Sequence, residues 1–225
     1  MMHAIIIPLL IVMTACKATK FNELNHSSIG FIGDYSKFNK VDTNDGLKPF
    51  RYSSDKIKSG FYTKIFIELV AFYPQEVASG KITQRLLTET KAYIDIQLGE
   101  VIASYFEIVE HPQIGALTVT PRIAAIKTTA GDIALKEMIP IGSIIALSKA
   151  ATGFRHQNVE VFMEIKATDS IDGEFVGGSV KQGKGAPISG IGGKVTLESI
   201  RPLLDVWVRD AHDVFKQLSD IQPPL

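Results

Sequence analysis

Apolar residues along this chain recur with period two in some stretches and at spacings of three and four in others. The changes of period mark its elements. From Phe61 to Tyr73 the period is two: Ile65, Ile67, Leu69 and Ala71 share one face, and Lys64, Phe66 and Glu68 the other. This predicts a strand that Pro74 ends. From Ile82 to Val109 the helical spacing takes over, with Leu86, Ile94, Leu98, Val101 and Ile102 on the apolar stripe. Ser79-Gly80 breaks the chain before this helix, Thr83 is placed to cap it, and Gly99 weakens it. Leu117 to Lys127 alternates again, and Pro121 within it implies an edge position or a bulge. A shorter helix is expected over Pro140 to Ala151, with Gly153 just past its end.

Asn158 to Thr168 sets Val159, Val161, Met163, Ile165 and Ala167 against Glu160, Phe162, Glu164 and Lys166. Asp172-Gly173 turns that strand into Glu174 to Val180, the clearest hairpin in the chain. A Gly-rich stretch, Gly183 to Gly193, precedes a last helix over Leu197 to Leu218, whose stripe runs through Ile200, Leu204, Trp207, Ala211 and Phe215. The order β-α-β-α-β-β-α predicts an α/β fold: a small mixed sheet with helices packed on it, forming one domain over 61–225.

The beginning of the chain follows neither period. Ala4 to Val12 is an apolar run, Met13-Thr14-Ala15-Cys16 follows, and no charge precedes Lys17. The run has the length of a signal-peptide core and falls short of the ~20 residues that a spanning helix needs. Small residues directly before a cysteine resemble a bacterial lipobox. That resemblance implies a signal peptide over 1–15, cleavage before Cys16, a diacylglycerol on the Cys16 sulfur and a further acyl chain, such as palmitate, on its amino group. Two features depart from the pattern: Met1-Met2-His3 carries no Lys or Arg, and Met13 stands where Leu is usual. The alternative, an N-terminal strand with a buried thiol, would rarely stop at this motif. Lys17 in place of Asp favours sorting to the outer membrane. Residues 16–60 then read as a lipidated, slightly basic tether, extended at first. Within it, Gly30-Phe31-Ile32-Gly33-Asp34-Tyr35-Ser36-Lys37-Phe38 is too aromatic to stay solvated and is expected to dock.

Composition narrows the partners. Across 225 residues, 24 Lys and Arg balance 24 Asp and Glu, so no general field draws nucleic acid or an anionic surface. The membrane is met through the anchor at Cys16. One cysteine excludes both an intramolecular disulfide and a cysteine-based zinc module.

Chemistry-bearing patterns are sparse. The stretch before the last helix fails as a phosphate loop, because Gly193-Lys194 is followed by Val195 and Ile188 stands where the first glycine belongs. The histidines show no metal spacing, and no Gly-x-Ser-x-Gly elbow is present. His212 sits beside Asp213 on a helix, where neighbours do not face each other. Glu160 and Glu164 share a strand face and form an imaginable carboxylate pair, but Lys166 continues that face, which reads as alternating charge on a solvated surface. Asp169, Ser170, Asp172 and Gly173 lack calcium-loop spacing and read as turn chemistry. On the last helix Arg201, Asp205, Arg209 and Asp213 stand four apart, as on a solvated face, and Trp207 reads as core. No catalytic, metal or cofactor residue is assigned; the one site residue is Cys16, for lipidation.

Four stretches taken together carry a family resemblance: Gly30 to Ser36, Pro121 to Lys127, Ala151-Thr152-Gly153 leading into Glu160 to Ser170 with Asp172-Gly173-Glu174, and the Trp207 helix. In that order after a lipobox, they resemble a proteobacterial lipoprotein family defined only as a domain of unknown function. The resemblance implies an envelope lipoprotein whose α/β domain is similar to the N-terminal domain of TolB. It also admits a similarity to accessory lipoproteins of Dot/Icm-type type IV secretion core complexes. It transfers no catalytic residue.

The expected function is therefore a non-enzymatic, lipid-anchored module facing the periplasm, whose partner is an envelope protein or complex. The alternative is a lipoprotein that binds a small molecule or glycan.

Overall fold

The computed structural model describes residues 30–43, 46–74, 78, 80–130, 156–189 and 193–221. The expected signal peptide, Cys16 and the helix expected over Pro140–Ala151 lie outside the described residues. In chain order the elements are β1 (Asn39–Lys40), β2 (Phe50–Ser53), α1 (Asp55–Lys58), β3 (Lys64–Ile67), β4 (Ala71–Phe72), α2 (Gln84–Ala103), β5 (Glu107–Ile108), β6 (Ala116–Ala130), β7 (His156–Asp169), β8 (Phe175–Lys184), β9 (Ile188–Ser189) and α3 (Leu197–Asp220).

The strands form one mixed sheet in the order β1-β2-β8-β7-β6-β3-β5, with β4 beside β6 and β9 beside β7. Antiparallel pairing links β2, β8, β7 and β6, whereas β3 and β4 run parallel to β6. The predicted α/β class with a mixed sheet holds. The stretch before residue 61, expected as a tether with one docked segment, also supplies β1, β2 and α1, and β2 pairs with β8 from Phe50↔Val180 to Ser53↔Gly177.

The predicted strand over 61–73 is two short strands. At the interruption the Asp95 carboxylate accepts from the Val70 N–H at 2.7 Å, and Leu69 is turned outward, 78% exposed. Pro121 explains the position of the break. Val119 and Ile123 direct their carbonyls to this side of β6, receiving the Glu68 and Tyr73 N–H groups. Pro121, midway between them, has no N–H to offer, so the ladder lapses there. The bulge in β6 comes slightly later, between Ile123 and Ala125.

Helix α2 starts as expected, with the Thr83 hydroxyl accepting from the Leu86 N–H at 3.2 Å. It stops at Ala103, short of Val109. Phe106 turns inward to meet Phe215 edge-on, with ring centres 6.1 Å apart, and the chain continues as β5 beside β3. Helices α2 and α3 cover one face of the sheet. Ile123, Val161 and Met163 pack there against Leu86, Ile94, Leu204 and Trp207, while Ile65 and Leu117 pack against Ile102 and Phe215.

The other face is covered in part by 31–38, the segment whose aromatic content predicted docking. Ile32, Tyr35 and Phe38 are buried against Phe50 and Val180, with Tyr52 and Phe175 at the margin. The β7–β8 hairpin forms where predicted, with Gly173 at a φ of 71°, which favours glycine.

Candidate functional site

Polar side chains gather at three places: beneath the docked segment, under α3, and at the β7–β8 turn. Beneath 31–38 the central residue is Glu164. It was expected on a solvated face and is instead fully buried, as is Glu160 to within a few per cent. The strand parity was read correctly; the cover laid over that face was not foreseen. One oxygen, Glu164 Oε2, accepts from the Tyr35 hydroxyl at 2.6 Å and the Ile32 N–H at 3.0 Å. The other, Oε1, has no hydrogen-bond partner. Burial pushes the Glu164 carboxyl above its ordinary value, although both donors pull it down. Burial and the neighbouring carboxylate also raise the Tyr35 phenol. Glu160 and Glu164 stand four residues apart, about 13 Å along a strand, which is too wide for two carboxylates to share one reacting atom.

Under α3, Asp210 is buried and meets two cations from the sheet. The Lys181 ammonium lies 2.7 Å from Oδ2, and the Arg51 guanidinium donates to Oδ1. Lys181 also donates to the Trp207 carbonyl at 3.3 Å. Burial alone would raise the Asp210 carboxyl, but Lys181 and Arg51 outweigh it and hold the group below the usual carboxylate value. This cluster locks β2, β8 and α3 together. The period-based reading missed it, because Lys181 and Asp210 each look like ordinary surface charges in sequence.

At the hairpin turn, Asp169 accepts from Lys56 Nζ at 2.9 Å, the Tyr62 hydroxyl at 3.0 Å and the Ile171 N–H at 2.9 Å. Led by the Lys56 contact, these bonds hold its carboxyl down at about 2, while burial and Asp169 push the Tyr62 phenol up to about 12. The group closes a turn, as its sequence implied.

The remaining candidates are structural. Trp207 is buried in the helix-side core. Of the four-apart charges on α3, Asp205 accepts from the Tyr93 hydroxyl and Arg201 lies over the Tyr93 ring at 5.2 Å. His212 meets Tyr105 at 2.5 Å, and Asp213 comes within 3.7 Å of it, nearer than adjacent helix residues were expected to stand.

The Gly-rich stretch is partly regular: Gly183 and Lys184 close β8, and Ile188–Ser189 forms β9. A Cβ on Gly185 would lie 2.6 Å from the Ser199 carbonyl oxygen, so glycine there permits close approach to α3. A cavity between α2, α3 and the sheet measures about 20 Å³ and is lined by Leu98, Met163 and Trp207 among others, room for about one water. Among the described residues, no three His, Cys, Asp or Glu side chains are placed to hold a metal ion, and no helix is long and apolar enough to cross a membrane.

The chain belongs to the family termed protein of unknown function DUF3313, whose model matches residues 27–211. It is 22% identical over 202 residues to the uncharacterized lipoprotein YdcL of Escherichia coli K12, covering 90% of each chain, and equally to YdcL of Escherichia coli O157:H7. Among solved structures it is similar to the hypothetical protein CT253 of Chlamydia trachomatis, with a TM-score of 0.43, 10% identity and coverage of 70% of this chain and 98% of that one. It is also similar to the PelC dodecamer of Paraburkholderia phytofirmans, with a TM-score of 0.39, 10% identity and coverage of 79% and 98%. These relatives lend no support to the resemblance to Dot/Icm-type secretion lipoproteins.

Proposed function

We propose that this protein is a lipid-anchored envelope module that works by contact with other envelope components and carries out no reaction itself. The observation that carries this reading is Met13-Thr14-Ala15-Cys16 behind an uncharged apolar run. Similarity to an Escherichia coli lipoprotein over 90% of each chain supports it. In this reading Cys16 is acylated, Lys17 directs the protein to the outer membrane, and the domain faces the periplasm. Several acyl chains, at about 0.8 kcal/mol per buried methylene, hold far more firmly than one. The buried carboxylates and cations described above serve the fold, which leaves surface contacts as the means of action. Membership of an outer-membrane-associated secretion complex is one form such contacts could take.

The anchor is tested by Cys16→Ser, which is expected to move the protein from the membrane fraction to the soluble envelope fraction; unchanged fractionation refutes it. The module reading is tested by cross-linking in intact envelopes followed by detergent extraction. A reproducible partner is expected, and a strictly monomeric protein without one argues against the reading.

A further inference from the structure

The sheet face opposite the helices is only partly covered. Segment 31–38 lies over its β2–β8–β7 side, and the side formed by β6, β3 and β4 has no such cover among the described residues. There Leu69 is 78% exposed and Tyr73 39%. The Phe31 ring, half-buried, packs edge-on against Tyr73 with centres 5.4 Å apart. Two cations flank the same ring, the Arg122 guanidinium at 5.0 Å and the Lys166 ammonium at 5.8 Å. Arg122 also donates to the Leu69 carbonyl at 3.3 Å and holds Glu68 at 2.7 Å. One leucine, two aromatic rings and two cations thus form a single patch.

The direction of the chain identifies what the patch meets. Phe31 belongs to the patch and is also where the chain arrives from Cys16, which lies 15 positions earlier. Fully extended, that length spans about 50 Å at most, and as a flexible coil only about 20 Å. Resting on the Cys16 anchor proposed above, we infer that this face docks on the bilayer holding the acyl chains. Leu69 enters the boundary between headgroups and acyl chains, Tyr73 and Phe31 lie at headgroup level, and Lys166 meets a lipid phosphate, with Arg122 held beside it by Glu68. The acyl chains supply the attachment; the patch fixes which way the domain faces.

Another apolar group, Phe61, Ile114 and Ile171, is also exposed, at 50%, 81% and 62%. It sits at the far end of the sheet, where the Thr63 N–H bonds to Gly115 and the Ser170 N–H to Ala116. At the neighbouring β7–β8 turn Lys56 is already engaged by the acids Asp169, Asp172 and Glu174. The cation at that turn is thus already paired, and that end is not where the anchor chain arrives.

The test uses the acylated full-length chain on phosphatidylethanolamine–phosphatidylglycerol vesicles. Acylation blocks Cys16, so Leu69→Cys or Ile171→Cys supplies the sole free thiol for an environment-sensitive fluorophore. Both sites are exposed, so labelling leaves the core intact, and circular dichroism checks this. A label at 69 is expected to be quenched by nitroxide-bearing lipid and protected several-fold from aqueous iodide relative to a label at 171. Iodide reaching both sites equally, deeper burial at 171, or protection of 69 only when other envelope proteins are added overturns the docking. The anchor is read separately, by the mass of the Cys16 peptide and by loss of vesicle binding in Cys16→Ser. An unacylated peptide refutes the anchor and this inference together, whereas an acylated, vesicle-bound chain with residue 69 in water refutes the docking alone.

Discussion

Asp210 is the residue whose loss the fold should feel most for its size. Asp210→Asn keeps shape and volume but removes the carboxylate that Arg51 and Lys181 both meet. Arg51 retains an outlet, with a fifth of its side chain exposed, whereas the Lys181 side chain is 4% exposed, and its bond to the Trp207 carbonyl at 3.3 Å brings no opposite charge. Breaking a buried pair by removing one partner costs about 3–5 kcal/mol, because the charge left behind is no longer compensated. Against a total stability of about 5–15 kcal/mol this is a large fraction. At about 2–4 °C per kcal/mol for a domain of this size, the melting temperature should fall by about 6–20 °C. Lys181→Met should cost clearly less, since Asp210 keeps Arg51 and the methionine fills the space. Urea and thermal unfolding of the soluble Cys16→Ser chain, with and without each change, measure both. The acid limb gives a second readout. The folded carboxyl lies below its ordinary 3.8, so its contribution is present above that pH and is lost as pH falls. Asp210→Asn should remove that part of the acid dependence. A loss below about 1 kcal/mol, or a Lys181→Met cost equal to that of Asp210→Asn, would refute the assignment of Asp210 as the shared counter-charge.

Glu164 should behave in the opposite sense. Its folded value is raised above 4.5, so its contribution is full below that pH and declines as pH rises through the folded value; urea midpoints measured from pH 4 to neutrality should lose this decline in Glu164→Gln. Tyr35→Phe removes a 2.6 Å bond to the same carboxyl, worth about 1.5–3 kcal/mol if the acceptor is charged, and should speed amide exchange across 31–38; unchanged exchange there would show that the bond does not hold the segment down. Gly185→Ala would push a methyl to 2.6 Å from the Ser199 carbonyl, a backbone atom, at a cost of about 1–3 kcal/mol by urea unfolding. Gly183→Ala, though its methyl would fall at 2.2 Å, meets the flexible end of Leu203 and should cost less.

Elements with one dominant period were legible in the sequence. Strands β6, β7 and β8 and helices α2 and α3 lie close to where the alternation and the three-and-four spacing put them, and the Thr83 cap and the Asp172-Gly173 turn follow from local chemistry. The short elements were not legible. Strands β1, β4, β5 and β9 have two residues each, fewer than any period needs to declare itself; β4 and β9 form on the ladders offered by the long strands β6 and β7, and β1 and β5 extend the sheet from the four-residue strands β2 and β3. The Leu69 side chain illustrates the limit: alternation alone placed it with Ile65 and Ile67, but the lapse opposite Pro121 breaks the parity and turns it out of the core.

The polar centres expose a different limit. Parity assigns Glu160, Glu164 and Lys166 to one face, but burial depends on what lies over that face, and the cover comes from a segment 129 residues away from Glu164 in sequence at the Tyr35 contact. The clue was in that segment, since Ile32, Tyr35 and Phe38 needed an apolar surface and the helix side of the sheet was already taken by α2 and α3. Had the docking of 31–38 been carried one step further, Glu164 would have been expected beneath it. A buried carboxylate then demands donors, and Tyr35 is the buried hydroxyl that this segment brings. The same step bears on the patch proposed to meet the membrane: once 31–38 occupies the β2–β8–β7 side, Phe31 lies at its margin beside Tyr73 and Arg122, 15 positions after Cys16 in sequence. In the proposed orientation the bond from Tyr35 to Glu164 therefore does more than stabilise the sheet, because it fixes the point from which the domain would hang.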